Sequence, residues 1–291
     1  MSVEATNSID EGNVLRIINA INFTQELFQE NEVKQNTFLT NANYDITVSH
    51  ESASSILTKL SSLDRIDTHY DLKNGLNPGN VKHILISRKK NTKNHKPIIW
   101  GKDINRFRII WSGDYVNYDP SLKDSISLAD IRSKPGMNKQ NKIDFALRTP
   151  DLFEKNKIVL RKTGDSIIAA LDTDHYYFDT LVHGIYALTE QEGYTLEYLL
   201  AILNSRFATW LYRSLYDVKG KAFAKIGLDK LAALPIPAPE KKLSSRIVES
   251  LQKLTSLENL DATKSLLKKL DELVYLSYGL NEEEIKIIEQ T

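Results

Sequence analysis

Between Lys82 and Arg108 the sequence carries nine basic residues, Lys82, Arg88, Lys89, Lys90, Lys93, Lys96, Lys102, Arg106 and Arg108, against a single acid, Asp103. The whole chain is neutral, with 38 Lys and Arg balanced by 38 Asp and Glu, so the asymmetry is local. Cations at this density could neutralise nucleic-acid phosphates. Asn91, Thr92, Asn94, His95 and Trp100 are interleaved with them and can hydrogen-bond or stack. Asn and Arg are also side chains that pair with base edges in the major groove. The plainer reading is a solvated loop, as most charge runs are. A second patch, "VKGKAFAKIG", holds Lys219, Lys221 and Lys225 around Gly220, and a third, "LRKTGD", holds Arg161 and Lys162. The three make one positive face only if the fold brings them together.

The elements that would position these patches read as short strands. Residues 64–190 contain "HILIS" (83–87), "KPIIW" (96–100), "FRIIW" (107–111), "KIVLRK" (157–162), "SIIAAL" (166–171) and "GIYALT" (184–189). Several are rich in Ile, Val, Tyr and Trp, as strands are. Their irregular spacing predicts an α+β fold with a curved mixed or antiparallel sheet and long loops, rather than repeated βαβ units. The loops near 112–125 and 131–150 are long for connectors, and long loops on a rigid sheet are where binding often happens.

Helices are expected at both ends. Residues 1–62 read as a helical adapter. In it "FTQELFQENEVK" has helical spacing, "VLRII" suits a strand or a short helix, and "YDITVS" alternates like a strand. "SHESASSILTKLSSL" then reads as a capped amphipathic helix with Ile56, Leu57, Leu60 and Leu63 on its apolar face. Residues 195–215 form a broad apolar helical stripe with Thr195 as N-cap, followed by a short strand in "GKAFAKIG" and a helical turn in "LDKLAAL". Pro235, Pro237 and Pro239 end that run, since proline cannot continue a helix. Beyond them Leu243, Ile247, Leu251, Leu254 and Leu257 step by threes and fours. Leu266, Leu270, Leu273 and Val274 resume the pattern, and Gly279, Asn281 and Glu284 mark a stop, an N-cap and its capping-box partner. The division expected is 1–62 adapter, 63–240 recognition domain, and 241–291 a helical hairpin plus a closing helix.

Catalytic constellations are missing. Without cysteine there are no disulfides, thiolate metal sites or cysteine nucleophiles. There is no glycine-rich phosphate loop and no GxSxG elbow. The six histidines show no metal-binding spacing. "EVK" at Glu32–Lys34 resembles the end of a Mg²⁺ nuclease motif, but lies in a helical pattern without an upstream acidic strand, so a surface helix is the reading taken. "DTDH" at Asp172–His175 reads as a turn between strands. No catalytic residue and no metal site is assigned. No apolar run approaches the ~20 residues that span a bilayer. The polar, acidic opening "MSVEATNSIDEG" is unlike a secretory signal, so a soluble cytoplasmic protein with no membrane contact is expected.

A succession of motifs resembles one family. "YDLKNGLNPGN" is similar to a Gly-x-x-x-Gly-Asn strand–turn entry, through Gly75, Gly79 and Asn80. "KPIIWGKDINRFRIIW" follows with Gly101, Asp103, Arg106 and Trp111, and "KIVLRKTGDSIIAALDTDHYYFD" with Arg161, Gly164, Ala169 and Asp172. The strongest resemblance is "LEYLLAILNSRFATWLYRSLYDVKGKAFAKIGLDKLAALPIPAP", a helix with an Asn-Ser pair and a Leu-Pro-x-Pro exit. "KLDELVYLSYGLNEEEIKIIE" resembles the closing helix pair. Together, over about residues 60–291, they resemble the TaqI-like C-terminal specificity domain of type IIG and related adenine-N6 DNA methyltransferases.

The resemblance implies a prokaryotic restriction–modification protein that recognises a double-stranded DNA target sequence. The Asn/Asp-Pro-Pro-Tyr/Phe motif of the family's methyltransferase domain is absent, as is an S-adenosylmethionine-binding glycine motif. No cofactor is therefore expected in this chain, and S-adenosylmethionine is implied for a missing or partner methyltransferase domain or subunit. The residues expected at DNA are Asn77, Asn80, Lys82, Arg88, Lys89, Lys90, Lys93, Lys96, Arg106, Arg161, Lys162, Lys219 and Lys221. Most would touch phosphate and few would touch bases. Gly75, Gly79 and Gly101 are expected in turns, Trp111, Trp210, Tyr212 and Phe223 in the core, and Asn204 bonding across a helix end. The alternative is a subunit-interaction protein that docks to a methyltransferase or restriction subunit through its helical tail and the 195–215 helix.

Overall fold

A computed structural model describes residues 14–22, 27–34, 51–188, 192–216, 225–256 and 260–290. In chain order its elements begin with β1 (Val14–Asn22), β2 (Leu27–Lys34), α1 (Glu51–Leu60), β3 (Asp64–Arg65), α2 (Ile66–His69) and β4 (Tyr70–Asn74). Next come α3 (Lys82–Leu85), β5 (Ile86–Ser87), β6 (His95–Ile99), β7 (Ile104–Asn105), β8 (Arg108–Ile109), β9 (Tyr115–Asn117), α4 (Leu122–Ser125) and α5 (Leu128–Arg132). Four strands follow: β10 (Lys157–Arg161), β11 (Ala169–Asp172), β12 (Tyr177–Phe178) and β13 (Val182–Ala187). The last part is helical, with α6 (Leu196–Leu203), α7 (Arg206–Tyr216), α8 (Leu228–Ala232), β14 (Pro235–Ile236), α9 (Lys241–Ser256), α10 (Leu260–Ser277) and α11 (Glu282–Glu289).

Side-chain alternation in β10 sets the layers. Successive strand residues point to opposite faces. Ile158 and Leu160 join the large core with Ile185 of β13 and the apolar sides of α6, α7, α9 and α10. Val159 faces the other way, with Ala170 and Tyr186, into a second core with Ile98, Ile99, Val116, Phe153 and Phe178. The central sheet runs β11–β10–β13–β4, antiparallel throughout, and is buried on both faces. The second sheet runs β12–β6–β9–β5, with β12 parallel to β6 and the other pairs antiparallel. The expected α+β class with open mixed and antiparallel sheets is what forms.

The proline exit is fixed on three sides. β14 pairs antiparallel with β3, Pro235 opposite Arg65, a two-residue edge that needs little donation from proline. The Pro235 carbonyl accepts from the Tyr278 hydroxyl at 2.9 Å, and that of Pro237 from the Tyr198 hydroxyl at 3.2 Å. Beyond it the tail packs inward, with Ile247, Leu251, Leu254, Leu270, Leu273 and Val274 buried in the large core. The expected hairpin and closing helix are present, and Asn281 and Glu284 make the capping box, with Gly279 at φ +63 ending α10.

Four local expectations change. Leu27–Lys34, read as helical, is a strand paired with β1, with Glu32 opposite Arg16 in register. Its sparse apolar residues fit either period, and the Ile-rich β1 beside it supplies a ladder that a lone helix would lack. Glu32–Lys34 is thus on a strand, whereas "YDITVS" (44–49) lies outside the described residues. Among the described residues of 1–62 the helix is α1, and it is not set apart from the body. Ile56 and Leu60 are buried in the large core, and the Lys59 ammonium reaches the Gly279 carbonyl at 3.0 Å and Glu284 at 2.8 Å.

In "HILIS" only Ile86 and Ser87 are strand. His83–Leu85 is helical because Val81 and Leu85, one turn apart, both turn into the second core. The 195–215 helix is two helices, broken at Asn204 and Ser205. Asn204 leaves the helical path to clasp β11, its Nδ2 donating to the Ala169 carbonyl at 2.9 Å and its Oδ1 accepting from the Ala169 N–H at 3.0 Å. Ser205 Oγ then accepts from the Ala208 N–H and restarts the helix.

Candidate nucleic-acid interface

β9 lies between β5 and β6, so the chain from Ser87 to His95 must cross the end of β9. That crossing is the basic loop, and both of its ends are pinned. Ser87 Oγ bonds the backbone of Lys89 on one side. On the other, the Asn94 carbonyl accepts from the Tyr118 N–H at 2.9 Å, and Asn94 Nδ2 donates to Asp119 at 3.0 Å. Lys89, Lys90 and Lys93 between these anchors are exposed and make no ion pair among the described residues.

Arg88 belongs to a connected cluster. Its Nε donates to Asp114 Oδ1 at 2.8 Å and its other nitrogen to the Ser112 carbonyl at 2.9 Å. Asp114 Oδ2 accepts from the Trp100 indole at 2.7 Å, and the Lys82 ammonium stands 4.0 Å from the centre of the Trp100 ring. Trp111 supports this arrangement from beneath. Its indole bonds the Ile98 and Asp114 carbonyls, and its ring meets Tyr115 edge-on at 5.1 Å. Expected in the core, Trp111 is only half-buried. Asp103 ties the turn together by accepting from the Trp100 N–H and the Ser112 hydroxyl. The result is a cationic surface with half-exposed aromatic rings, able to pair with anions and to stack.

Burial raises the Asp179 carboxyl, and the charges of Lys82 and Lys162 pull it down. The second patch meets the third, since Thr163 and Lys225 form an antiparallel bridge. Lys219, Lys221 and Phe223 lie outside the described residues.

Other predicted residues spend their polar atoms inside the protein. Arg161 Nε donates to the Ile104 carbonyl at 2.6 Å, and Lys162 to that of Thr180 at 3.3 Å. Arg106 donates from Nε and Nη2 to the Asn204 carbonyl at the helix break. Lys96 pairs with Glu154 at 3.1 Å, and its hydrogen bond with that of Tyr177 holds Glu154 below the ordinary carboxylate range. Asn77 Oδ1 accepts from the Gly79 N–H, and Asn80 binds the backbone of residues 142–144.

The sequence reading missed Asp114, which ties Arg88 to the Trp100 indole. It has no local signature, because it acts on residues far away in the chain. Asp172 does end β11 in a turn, its oxygens accepting from Asp174 and Tyr176. It is also paired at 2.6 Å with Lys157, both fully buried, which no pattern disclosed. Among the described residues no group of three or more His, Asp or Glu gathers as a metal set, and no helix is long and apolar enough to cross a membrane.

Fold and surface together define an α+β module whose strands present a cationic, aromatic-bearing loop layer on one side and a helical body on the other. Residues 96–236 match the TaqI-like C-terminal specificity domain. In overall fold it is similar to the type IIL restriction-modification enzyme MmeI, whose structure was solved in complex with DNA. That superposition has a TM-score of 0.55 at 11% identity and covers 97% of this chain and 41% of that one. The type IIG restriction endonuclease BpuSI superposes with a TM-score of 0.46 at 14% identity, over 90% of this chain and 37% of its own. The chain thus spans well under half the length of either protein. No curated protein matches the sequence.

Proposed function

We propose that this chain reads a target sequence in double-stranded DNA as the specificity part of a restriction–modification adenine-N6 methyltransferase in the prokaryotic cytoplasm. Methyl transfer from S-adenosylmethionine would be the work of a partner domain or subunit, in keeping with the absence of the Asn/Asp-Pro-Pro-Tyr/Phe motif. The observation that carries the reading is the pinned loop of Arg88, Lys89, Lys90 and Lys93 beside Lys82 on Trp100, within a chain that matches a specificity domain. The lysines supply salt-dependent affinity for phosphates. Arg88 offers a directional contact that can discriminate bases, and the half-exposed Trp100 ring offers a face for stacking.

The test is titration of a labelled duplex by fluorescence anisotropy at several salt concentrations. Binding is expected to weaken steeply between about 50 and 200 mM salt, with the slope of log K against log salt steepening by roughly 0.9 for each phosphate contacted. A folded protein that binds no duplex at low salt refutes the reading.

A further inference from the structure

The turn Gly75–Asn80 holds another segment rather than pointing outward. Asn80 uses its whole amide on it. Nδ2 donates to the Lys142 carbonyl at 2.8 Å and to Gln140 Oε1 at 3.3 Å, and Oδ1 accepts from the Asp144 N–H at 3.0 Å. Its backbone N–H adds a bond to the Asp144 carbonyl at 3.1 Å. Asn77 and Ala146 exchange two backbone hydrogen bonds, at 2.7 and 2.8 Å. Gly79 sits at φ +46, and a Cβ there would fall 1.7 Å from the Asp144 oxygen, so the close approach demands glycine. At the far end Arg132 Nε donates to the Gln140 carbonyl at 2.8 Å and closes the segment on itself.

The segment so held has a composition unlike a connector. Residues 132–146 contain Arg132, Lys134, Lys139 and Lys142 against one acid, Asp144. Lys134, Lys139 and Lys142 are exposed, as are Asn138 and Asn141, which can donate and accept hydrogen bonds. The clamp lies at the stem of the cationic surface: Asn80 is two residues from Lys82, and His83 Nε2 lies 3.5 Å from the Asp130 carbonyl in α5. A long polar loop left loose would lose ordering entropy on binding, and six hydrogen bonds at its base reduce that loss.

We infer that residues 132–146 are a second basic arm, positioned by Asn80, whose Lys134, Lys139 and Lys142 contact the phosphates of duplex DNA beside the Lys82–Trp100–Arg88 surface. This rests on the duplex-DNA reading above. Asn80 is a positioning residue on this account, and its own amide is not available to DNA.

The experiment measures the salt dependence of duplex binding for the full chain, for Lys134→Ala/Lys139→Ala/Lys142→Ala, for Asn80→Ala, and for the four substitutions combined. The lysine variant is expected to keep its melting temperature and to lose up to about 2.7 from the slope of log K against log salt, roughly 0.9 per phosphate contact. Asn80→Ala is expected to lower the slope while the lysines remain. Adding it to the lysine variant should cost little more, because both changes disable one arm. A wild-type chain that binds duplex while the lysine variant keeps its full slope overturns the arm and leaves the DNA reading standing. A further large loss in the combined variant makes Asn80 merely structural and overturns its positioning role. A wild-type chain that binds no duplex overturns the reading itself, and the arm with it.

Discussion

The cations of this protein divide into an inward and an outward population. Lys157, Arg161, Lys162 and Arg106 lie on or beside the central sheet, and each is committed to a carbonyl or a carboxylate of the fold. Lys89, Lys90 and Lys93 lie on a loop pinned at both ends and stay exposed. Sequence treats the two populations alike, since both are Lys and Arg near short apolar runs. Lys157 is cut off from water, and such a cation must be paired or hydrogen-bonded inside. Arg106, Arg161 and Lys162 reach solvent but have nitrogens held by carbonyls of the fold, whereas Lys89, Lys90 and Lys93 keep their whole charge for a polyanion.

The widest separation is expected at Lys157. Asp172→Ala leaves its ammonium buried without a counter-charge and should lower unfolding stability by about 3–5 kcal/mol in urea denaturation. Replacing both partners, Lys157→Met with Asp172→Asn, should recover most of that loss, and a double variant as unstable as the single one would break the comparison. Asn204→Ala removes the clasp on Ala169 and should cost about 1–3 kcal/mol by the same measurement, leaving a buried N–H unpaired.

His183 tests the inward set by pH. Burial holds its imidazole below the ordinary 6.5, with Nε2 at 2.9 Å from the Ile226 carbonyl. The unfolded chain therefore takes up the proton more readily. The stability that neutral His183 contributes is present above pH 6.5 and is lost as pH falls through the lower folded value. Between pH 6.5 and 5.5 wild type should lose stability relative to His183→Gln, by at most about 1.4 kcal/mol, in parallel denaturation curves. The smallest stability effect belongs to the exposed basic loop and Arg88 at its base. Arg88→Ala/Lys89→Ala/Lys90→Ala should stay within about 1 kcal/mol of wild type, because the interactions removed, the Arg88 ion pair with Asp114 and its bond to the Ser112 carbonyl, lie at an exposed side chain. The same variant should lose salt-dependent duplex affinity, and unchanged affinity would remove the loop from the interface.

Much of the architecture was legible because its signals are local. Thr195, Asn281 with Glu284, and Gly279 act within one turn of their own position, and all do in the structure what their types predict. The strands at 157–161 and 169–172 announced themselves by composition. Leu27–Lys34 did not, because a few apolar residues in a charged stretch fit two periods, and the partner strand decides between them. The break at Asn204 was hidden for a related reason: the helical stripe runs unbroken through it, and the acceptor and donor that draw the asparagine out lie 35 residues away.

Sequence alone thus determined the class of fold, the caps and stops at Thr195, Gly279 and Asn281 and the location of the basic stretches, since each depends on neighbours within a few residues. Tertiary structure decided which charges face water, that Asp114 joins Arg88 to Trp100, and that Asn80 serves residues 140–144. These are contacts between residues far apart in the chain, and no local pattern encodes a partner that only folding brings within hydrogen-bond reach.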